Sequence, residues 1–286
     1  YLISCLGLAI RVAERSGTKM KVIRTAVFLF GILGMTGCSN SVQPESLVSL
    51  PDPQVITPIN IEPQQKVIKK IDDSNSDKKS ESAAVINNVK KDGLKVALTF
   101  DDGPDEKYTP LILDILKKEQ VKATFFVVGE HAKEHPKMMK RLVDEGHAIG
   151  NHSWDHVNLS EATADKIQSE IGSTDDMIKQ ITGVVPTLFR APYGAVSPQV
   201  LNVSMQSGHQ VIGWSVDTLD WDGKSVSQIL SNVRKEVGPG AIILQHFAGG
   251  KHGKLGNTVE ALPQIISYLR QKGYTLVTVP ELISAN

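Results

Sequence analysis

The chain has 286 residues, 41% of them hydrophobic and 22% charged, with basic and acidic residues in balance and a formal net charge of zero. That is the composition of a soluble protein with one large core or two small ones, and it lacks the basic excess that nucleic-acid binding normally leaves. Cys5 and Cys38 are the only cysteines, so the remainder of the chain has neither a disulfide framework nor a cysteine metal cluster.

The first residue is Tyr1, and Met20 is the first methionine with the context of a start, so residues 1–19 read as upstream sequence or as part of a long leader. Lys21 and Arg24 form a basic region, and residues 26–34 an apolar run too short to cross a bilayer comfortably. This is the pattern of a secretory signal peptide. The small residues before Cys38 resemble a bacterial lipobox, with Met35 where leucine is usual. That makes Cys38 the lipid-bearing first residue of a mature membrane lipoprotein; a cleaved signal with an incidental cysteine, giving a secreted protein, and a retained anchor are the alternatives. All three export the chain. Cleavage before Cys38 removes Arg11, Arg15, Lys19, Lys21 and Arg24 together with Glu14 and leaves an acidic mature protein.

Residues 39–91 change character. Pro44, Pro51, Pro53, Pro58 and Pro63 interrupt any regular element, and residues 72–80 are polar low-complexity sequence,. They read as a tether of roughly 40 Å average reach, one suited to an anchored enzyme working on a nearby polymer. The domain division expected is therefore 1–38 upstream residues and signal, 39–91 linker, and 92–286 catalytic domain.

From Leu94 onward strand and helix signals alternate. Leu94 to Phe100 is an apolar alternating run, read as a strand, that ends in Asp101-Asp102-Gly103-Pro104,. Thr109-Pro110 opens a helix, Lys122 to Gly129 is a second strand, Pro136 to Glu145 a helix stopped by Gly146, and His147 to Asn151 a third strand,. Ser160 is expected to cap a long helix that closes at Gly183. Strand Thr187 to Arg190, helix Ser197 to Ser207, strand Gln210 to Asp217 and helix Ser225 to Val237 follow, then strand Ala241 to Gln245, helix Thr258 to Gln271 and strand Tyr274 to Val279. Such alternation calls for an α/β fold with a parallel sheet, and with this many units the sheet can close into a barrel. Active sites of parallel β/α folds lie at the carboxyl ends of the strands, where the loops converge.

Five polar segments fall there. Paired acids at the end of a buried strand need a compensating metal or arginine. His152 and His156, four apart, can face one cation if their segment turns helically, and with a carboxylate they form a three-ligand site with an open position. Arg190-Ala191-Pro192-Tyr193-Gly194 offers an arginine to hold a carboxylate, or simply a turn. Asp217 to Trp221 and Leu244-Gln245-His246 complete the set. Taken singly, each segment is as readily a turn or a satisfied core group; five in one topological layer point to a site.

In order, the five segments resemble the motifs of the polysaccharide deacetylase family, also called carbohydrate esterase family 4 or the NodB-homology domain, over about residues 93–286. Within it the chain is most similar to bacterial peptidoglycan N-acetylglucosamine deacetylases. The resemblance implies a distorted (β/α)7 barrel, with Asp101 the general base and Asp102, His152 and His156 the ligands of a divalent metal. Zinc is the default for this ligand set, with cobalt or nickel as substitutes. It further implies that Arg190 orients Asp101, that the main-chain N–H of Tyr193, beside Pro192, holds the oxyanion, and that His246, partnered by Asp220, is the general acid. Trp221 and Leu244 would wall the acetyl pocket. One departure is visible: many members carry aspartate after the last-motif histidine, where this chain has Phe247. His131, His135, His147, His209 and His252 are assigned no role, His147 reading as a packed structural histidine.

Alternative readings account for less. A non-haem iron oxygenase leaves Asp101, Arg190 and His246 unused. A glycosidase needs two carboxylates flanking one bond, whereas neighbouring strand residues point to opposite faces. A tethered glycan-binding lipoprotein predicts loss of catalytic groups, and an O-acetyl esterase on xylan or another glycan remains open. The expectation is an exported monomer, anchored at the membrane and facing the cell wall, that removes N-acetyl groups from peptidoglycan or a chitin-like polymer.

Overall fold

A computed structural model describes residues 84–89 and 93–284. The expected signal peptide, Cys38 and most of the linker lie outside these residues. No helix among the described residues is long and apolar enough to cross a membrane.

Strand β1 (Lys95–Asp101) lies at the centre of the sheet, buried from Val96 onward. It pairs in parallel with β2 (Thr124–Val127), β7 (Ile242–His246) and β8 (Thr275–Val277). β3 (Ala148–Asn151) and β4 (Leu188–Phe189) extend the sheet beyond β2. Alternation along β1 sorts its side chains onto two faces. Val96, Leu98 and Phe100 join the core beneath the surrounding helices, while Ala97 packs inside the barrel. Thr99 and Asp101 share Ala97's face, so the strand brings its last carboxylate to the interior.

The run 210–217, expected to be one strand, is two. β5 (Gln210–Val211) pairs with β4, and β6 (Val216–Asp217) pairs with β7. These are the two end members of the sheet, and only residues 212–215 separate them. One stretch of chain thus starts against one edge and finishes against the other, curling the sheet into the distorted barrel.

Residues 84–89, assigned by the sequence reading to the linker, dock at this break. Ile86 forms a parallel bridge with Ile212 and Asn88 an antiparallel bridge with Ala241. Ile86 N–H donates to Val211 and its carbonyl accepts from Gly213, each at 2.9 Å, while Val89 N–H donates to Gly240 at 3.0 Å. The catalytic unit therefore begins before residue 92.

The helices follow the strands with several boundary changes. α1 (Thr109–Lys118) is not capped by Thr109; the Asp105 carboxylate takes the N–H groups of Tyr108 and Thr109 at 2.7 and 2.8 Å. α2 (Gly129–Glu134), an unexpected helix that begins at the residue read as the end of the second strand, and α3 (Pro136–Asp144) precede β3. α4 (Ala164–Thr182) starts later than expected because Thr163, not Ser160, caps it, accepting from Lys166 N–H at 3.3 Å. Gly183 closes it in the left-handed conformation, as expected,. α5 (Pro198–Gln206) and α6 (Val226–Glu236) carry the serine caps their sequences announce, Ser197 and Ser225, the latter in a full capping box,. α7 (Gly256–Gln271) packs on α6. Past β8 the chain turns into α8 (Val279–Ser284), whose Val279 and Leu282 pack with Ala97, Phe126, Leu188, Ile212 and Ile242 in the barrel interior.

Candidate active site

Asp101, Asp102, His152, His156, Tyr193, Trp221, Leu244 and His246 line one cavity of about 740 Å³, joined there by Trp214, Asp217 and Lys251. Two further expected residues, Arg190 and Asp220, lie buried behind it. Pro192 is buried within a turn and does not reach the cavity wall, its carbonyl accepting from Ala195 N–H at 3.1 Å.

Asp101 and Asp102 are separated by a backbone reversal: Asp102 has φ of 77°. Being past the strand, Asp102 escapes the alternation that sends neighbouring side chains to opposite faces, and both carboxylates enter the same cavity. That removes alternation as the objection to a paired-carboxylate reading, but each acid has its own partners. Asp101 Oδ1 accepts from Arg190 Nη1 at 2.7 Å. Asp102 Oδ1 lies 3.3 Å from His152 Nε2 and 3.2 Å from His156 Nε2.

The two histidines do not converge by helical periodicity. Residues 152–156 form an irregular loop in which Ser153 and His156 both have positive φ, 65° and 59°. His152 Nδ1 stands 2.7 Å from the carbonyl of Arg190. A carbonyl only accepts, so Nδ1 carries the proton, and in the neutral ring Nε2 turns a lone pair towards Asp102. Asp102 Oδ1 is buried without a hydrogen-bond donor. An imidazole lone pair facing an orphaned carboxylate oxygen is an arrangement that a cation resolves. The ligand atoms of Asp102, His152 and His156 lie within 4.8 Å of one another, and the set suits a divalent metal with an open face,.

The carboxylate and the imidazoles also perturb one another's protonation. Burial opposes ionisation of Asp102, but His152 and His156 outweigh it and hold the carboxyl well below the usual range. Burial likewise disfavours His152 as a cation, and Asp101 and Asp102 outweigh it in turn.

Arg190 is wholly buried and all three nitrogens of its guanidinium donate. Besides Asp101 it donates to Thr99 Oγ1 (2.9 Å), the Gly213 carbonyl (2.8 Å) and the Ile212 carbonyl (3.3 Å). Its plane lies 4.0 Å from the Phe126 ring centre. Burial lowers its pKa and the adjoining Asp101 resists that. Across the cavity, His246 Nδ1 is 2.8 Å from Asp220 Oδ1, and the other carboxylate oxygen takes the His246 N–H and the Thr258 hydroxyl at 2.9 Å each. Burial would favour the neutral imidazole, but Asp220 overrides it and raises the His246 pKa to about 9.

Phe247 does not face the cavity. It is fully buried in the outer core, with its ring 4.9 Å from that of Phe125, and it occupies the space where a side chain on Gly103 would stand. The departure from the family's aspartate thus falls behind the site rather than within it. His147 is packed as expected: buried, edge-on to Phe125, its Nδ1 accepting Ala123 N–H at 3.2 Å, and pushed down to about 4 by burial. His131, assigned no role from the sequence, places Nδ1 2.5 Å from the main-chain carbonyl of Asp102. Nothing in its local sequence points to that contact, which spans helix α2 and the end of β1.

A parallel α/β barrel with a two-histidine, one-carboxylate cluster, an arginine-held carboxylate and a histidine–aspartate pair around one cleft defines a hydrolase built on a divalent-cation site. Residues 88–212 match the family described as Polysaccharide deacetylase. The chain is 42% identical over 192 residues to a peptidoglycan-N-acetylglucosamine deacetylase of Bacillus cereus, covering 67% of this chain and 69% of that protein. It is 39% identical to the peptidoglycan-N-acetylmuramic acid deacetylase PdaA of Bacillus subtilis, covering 66% and 71%. Among solved structures, a peptidoglycan N-acetylglucosamine deacetylase in complex with an N-hydroxybenzamide superposes with a TM-score of 0.66 at 41% identity, covering 68% of this chain and 91% of that one. The chain belongs to the polysaccharide deacetylase family, carbohydrate esterase family 4.

Proposed function

We propose that this protein is a metal-dependent N-deacetylase acting on N-acetylglucosamine residues of peptidoglycan, and that its N-terminal residues make it an exported lipoprotein anchored through Cys38 and facing the cell wall. The observation that carries the activity is the arginine-held Asp101 beside the Asp102, His152 and His156 cluster, with His246, held by Asp220, on the neighbouring strand. The two relatives support peptidoglycan as the polymer.

A divalent cation held by Asp102, His152 and His156, zinc by ligand preference, would supply Lewis acidity, acidifying water and polarising the acetamide carbonyl. Asp101, fixed by Arg190, takes the proton from the attacking water as its oxygen bonds to the carbonyl carbon. The main-chain N–H of Tyr193 donates to the oxygen that becomes negative. His246, kept charged by Asp220, gives its proton to the amide nitrogen as the carbon–nitrogen bond breaks, releasing acetate and leaving a free amine on the sugar. Trp221 and Leu244 wall the space for the acetyl methyl.

The test is acetate release from N-acetylglucosamine oligomers, peptidoglycan and O-acetylated xylan by the full chain, stripped with chelator and reloaded with zinc, beside Asp101→Asn. Metal-dependent release from the N-acetylated glycans that is lost in the variant supports the proposal. Release from xylan alone identifies an O-acetyl esterase, and zinc binding without any release identifies a glycan-binding role. Because one relative acts on N-acetylmuramic acid, mass spectrometry of digested peptidoglycan decides which sugar loses its acetyl group.

A further inference from the structure

The loop that brings His152 and His156 together has no helix or strand to hold its shape, and two of its non-glycine residues sit in the left-handed region,. Its main-chain N–H groups are instead bonded, one after another, to side chains. Ser153 N–H donates to Asn151 Oδ1 at 2.9 Å, His156 N–H to Ser153 Oγ at 3.1 Å, and Val157 N–H to Asp155 Oδ1 at 3.3 Å. Ser153 and Asp155 belong to the loop and move with it, and Asn151 is the last residue of β3. The two remaining N–H groups, of Trp154 and Asp155, donate to one oxygen of Glu170 at 2.8 and 3.3 Å.

We propose that Glu170, on α4, is a positioning residue for the metal-ligand loop, its carboxylate fixing the turn between the two histidines and so setting the distance between their ring nitrogens. Glu170 is buried, 3% exposed. Two successive N–H groups aimed at one point suit an anion, and the bonds are charge-assisted. The other carboxylate oxygen meets Lys166 Nζ at 2.6 Å, and Lys166 reaches solvent, so the buried charge is paired at the protein edge. The carbonyl side of the loop is held separately, by Gly129 and Glu130 N–H groups donating to Ser153 and Trp154 at 3.0 Å each. Glu170 is therefore the one acceptor from outside residues 151–157 that these five N–H groups use. Without it the segment keeps its internal bonds and the hold of Asn151 Nδ2 on the Ile171 carbonyl and Asp175 Oδ1 of α4, at 2.8 Å each, but the turn between the histidines loses its own attachment to α4 and the two imidazoles lose their fixed separation. Partners of this kind behind metal ligands typically change affinity about 10- to 100-fold when removed.

The proposal rests on Asp102, His152 and His156 being the metal ligands, and the experiment separates the two. Zinc affinity of the full chain is measured by competition with a chelating dye, and the cobalt(II) derivative's visible spectrum reports ligand geometry, for wild type, E170A, E170Q, E170D and H156A, with circular dichroism confirming folded protein. Zinc binding at least about tenfold weaker in E170A, with an altered cobalt spectrum, is the expected result. E170Q, which still offers an amide oxygen to both N–H groups, restores affinity and spectrum towards wild type. E170A that binds zinc as tightly as wild type with an unchanged spectrum overturns the role of Glu170 and leaves the metal site standing. H156A that binds as tightly as wild type overturns both. Should E170A not fold, E170D decides: its carboxylate stops one methylene short, so weaker zinc binding supports the proposal and wild-type binding refutes it.

Discussion

Asp101 and His246 are register partners on the adjacent parallel strands β1 and β7, with side chains on the same interior face. The proton-accepting and proton-donating groups proposed for the reaction are thus spaced by the sheet, and each is tied to its own charge, Arg190 or Asp220. Nothing in a loop has to move to bring them together.

Asp220→Asn keeps the shape of the His246 partner and removes its charge. The His246 pKa, raised to about 9 by Asp220 against the effect of burial, should fall towards or below the ordinary 6.5. The proton donor is then lost at lower pH, and the alkaline limb of kcat moves down by a unit or more, roughly. Because the folded pKa is raised, the stabilisation from His246 is fully present below about 6.5 and disappears as pH climbs through about 9,. Urea unfolding across that window should lose this slope in the variant. An unmoved activity profile would contradict the donor assignment.

Arg190→Lys retains a positive charge but cannot serve four acceptors at once. Replacing a buried guanidinium leaves Asp101 and the Gly213 carbonyl short of donors, a loss of about 3 kcal/mol or more. Activity should fall by about 100-fold or more as Asp101 loses its orientation. Denaturant titration and acetate release measure the two effects; a variant of native stability would show that the carboxylate does not depend on this partner.

Phe247→Asp restores the residue many family members carry, yet here it places a carboxylate in an apolar core against Phe125 and Gly103. Destabilisation of about 4 kcal/mol or more is expected, enough to abolish soluble folding, whereas Phe247→Leu should cost about 1 to 2 kcal/mol. Expression and thermal melts of the two variants settle it. Normal melting of the aspartate variant would mean the ring is not the core group described.

A chain starting at residue 84 should melt with the full-length protein, and one starting at residue 92 several degrees lower. The shorter chain gives up the bonds of Ile86 and Val89 and their contacts with the interior cluster, worth about 2 kcal/mol together. Equal melting of the two truncations would place residues 84–89 outside the folded unit after all.

Much of this was legible because it is local. Asp101 and Asp102 end an alternating apolar run, and His152, Arg190 and His246 each sit at or just past a strand, so topology alone gathers them. What sequence could not reveal depends on partners far along the chain. Glu170 and His131 act on main-chain atoms of other elements, and neither has a pattern of its own. Within the run 210–217 apolar residues are interrupted only by Gly213 and Ser215 between Val211 and Val216, which is too little to mark where it changes neighbours. Ser160 and Thr163 both suit a helix start, and only the side-chain bond from Thr163 to Lys166 N–H distinguishes them. His152 and His156 both reach Asp102, but through left-handed residues rather than the helical turn their spacing suggested.

The packing of β1 also sets an order of assembly. The strand bearing Asp101 is made long before β7 and β8, with which it pairs, and before α8, which seals it from inside. Contacts of such sequence separation close slowly and only after the intervening chain has appeared. The sheet therefore stays open beside β1 until the segment carrying β7, β8 and α8 has been made, and Asp101 meets His246 only then.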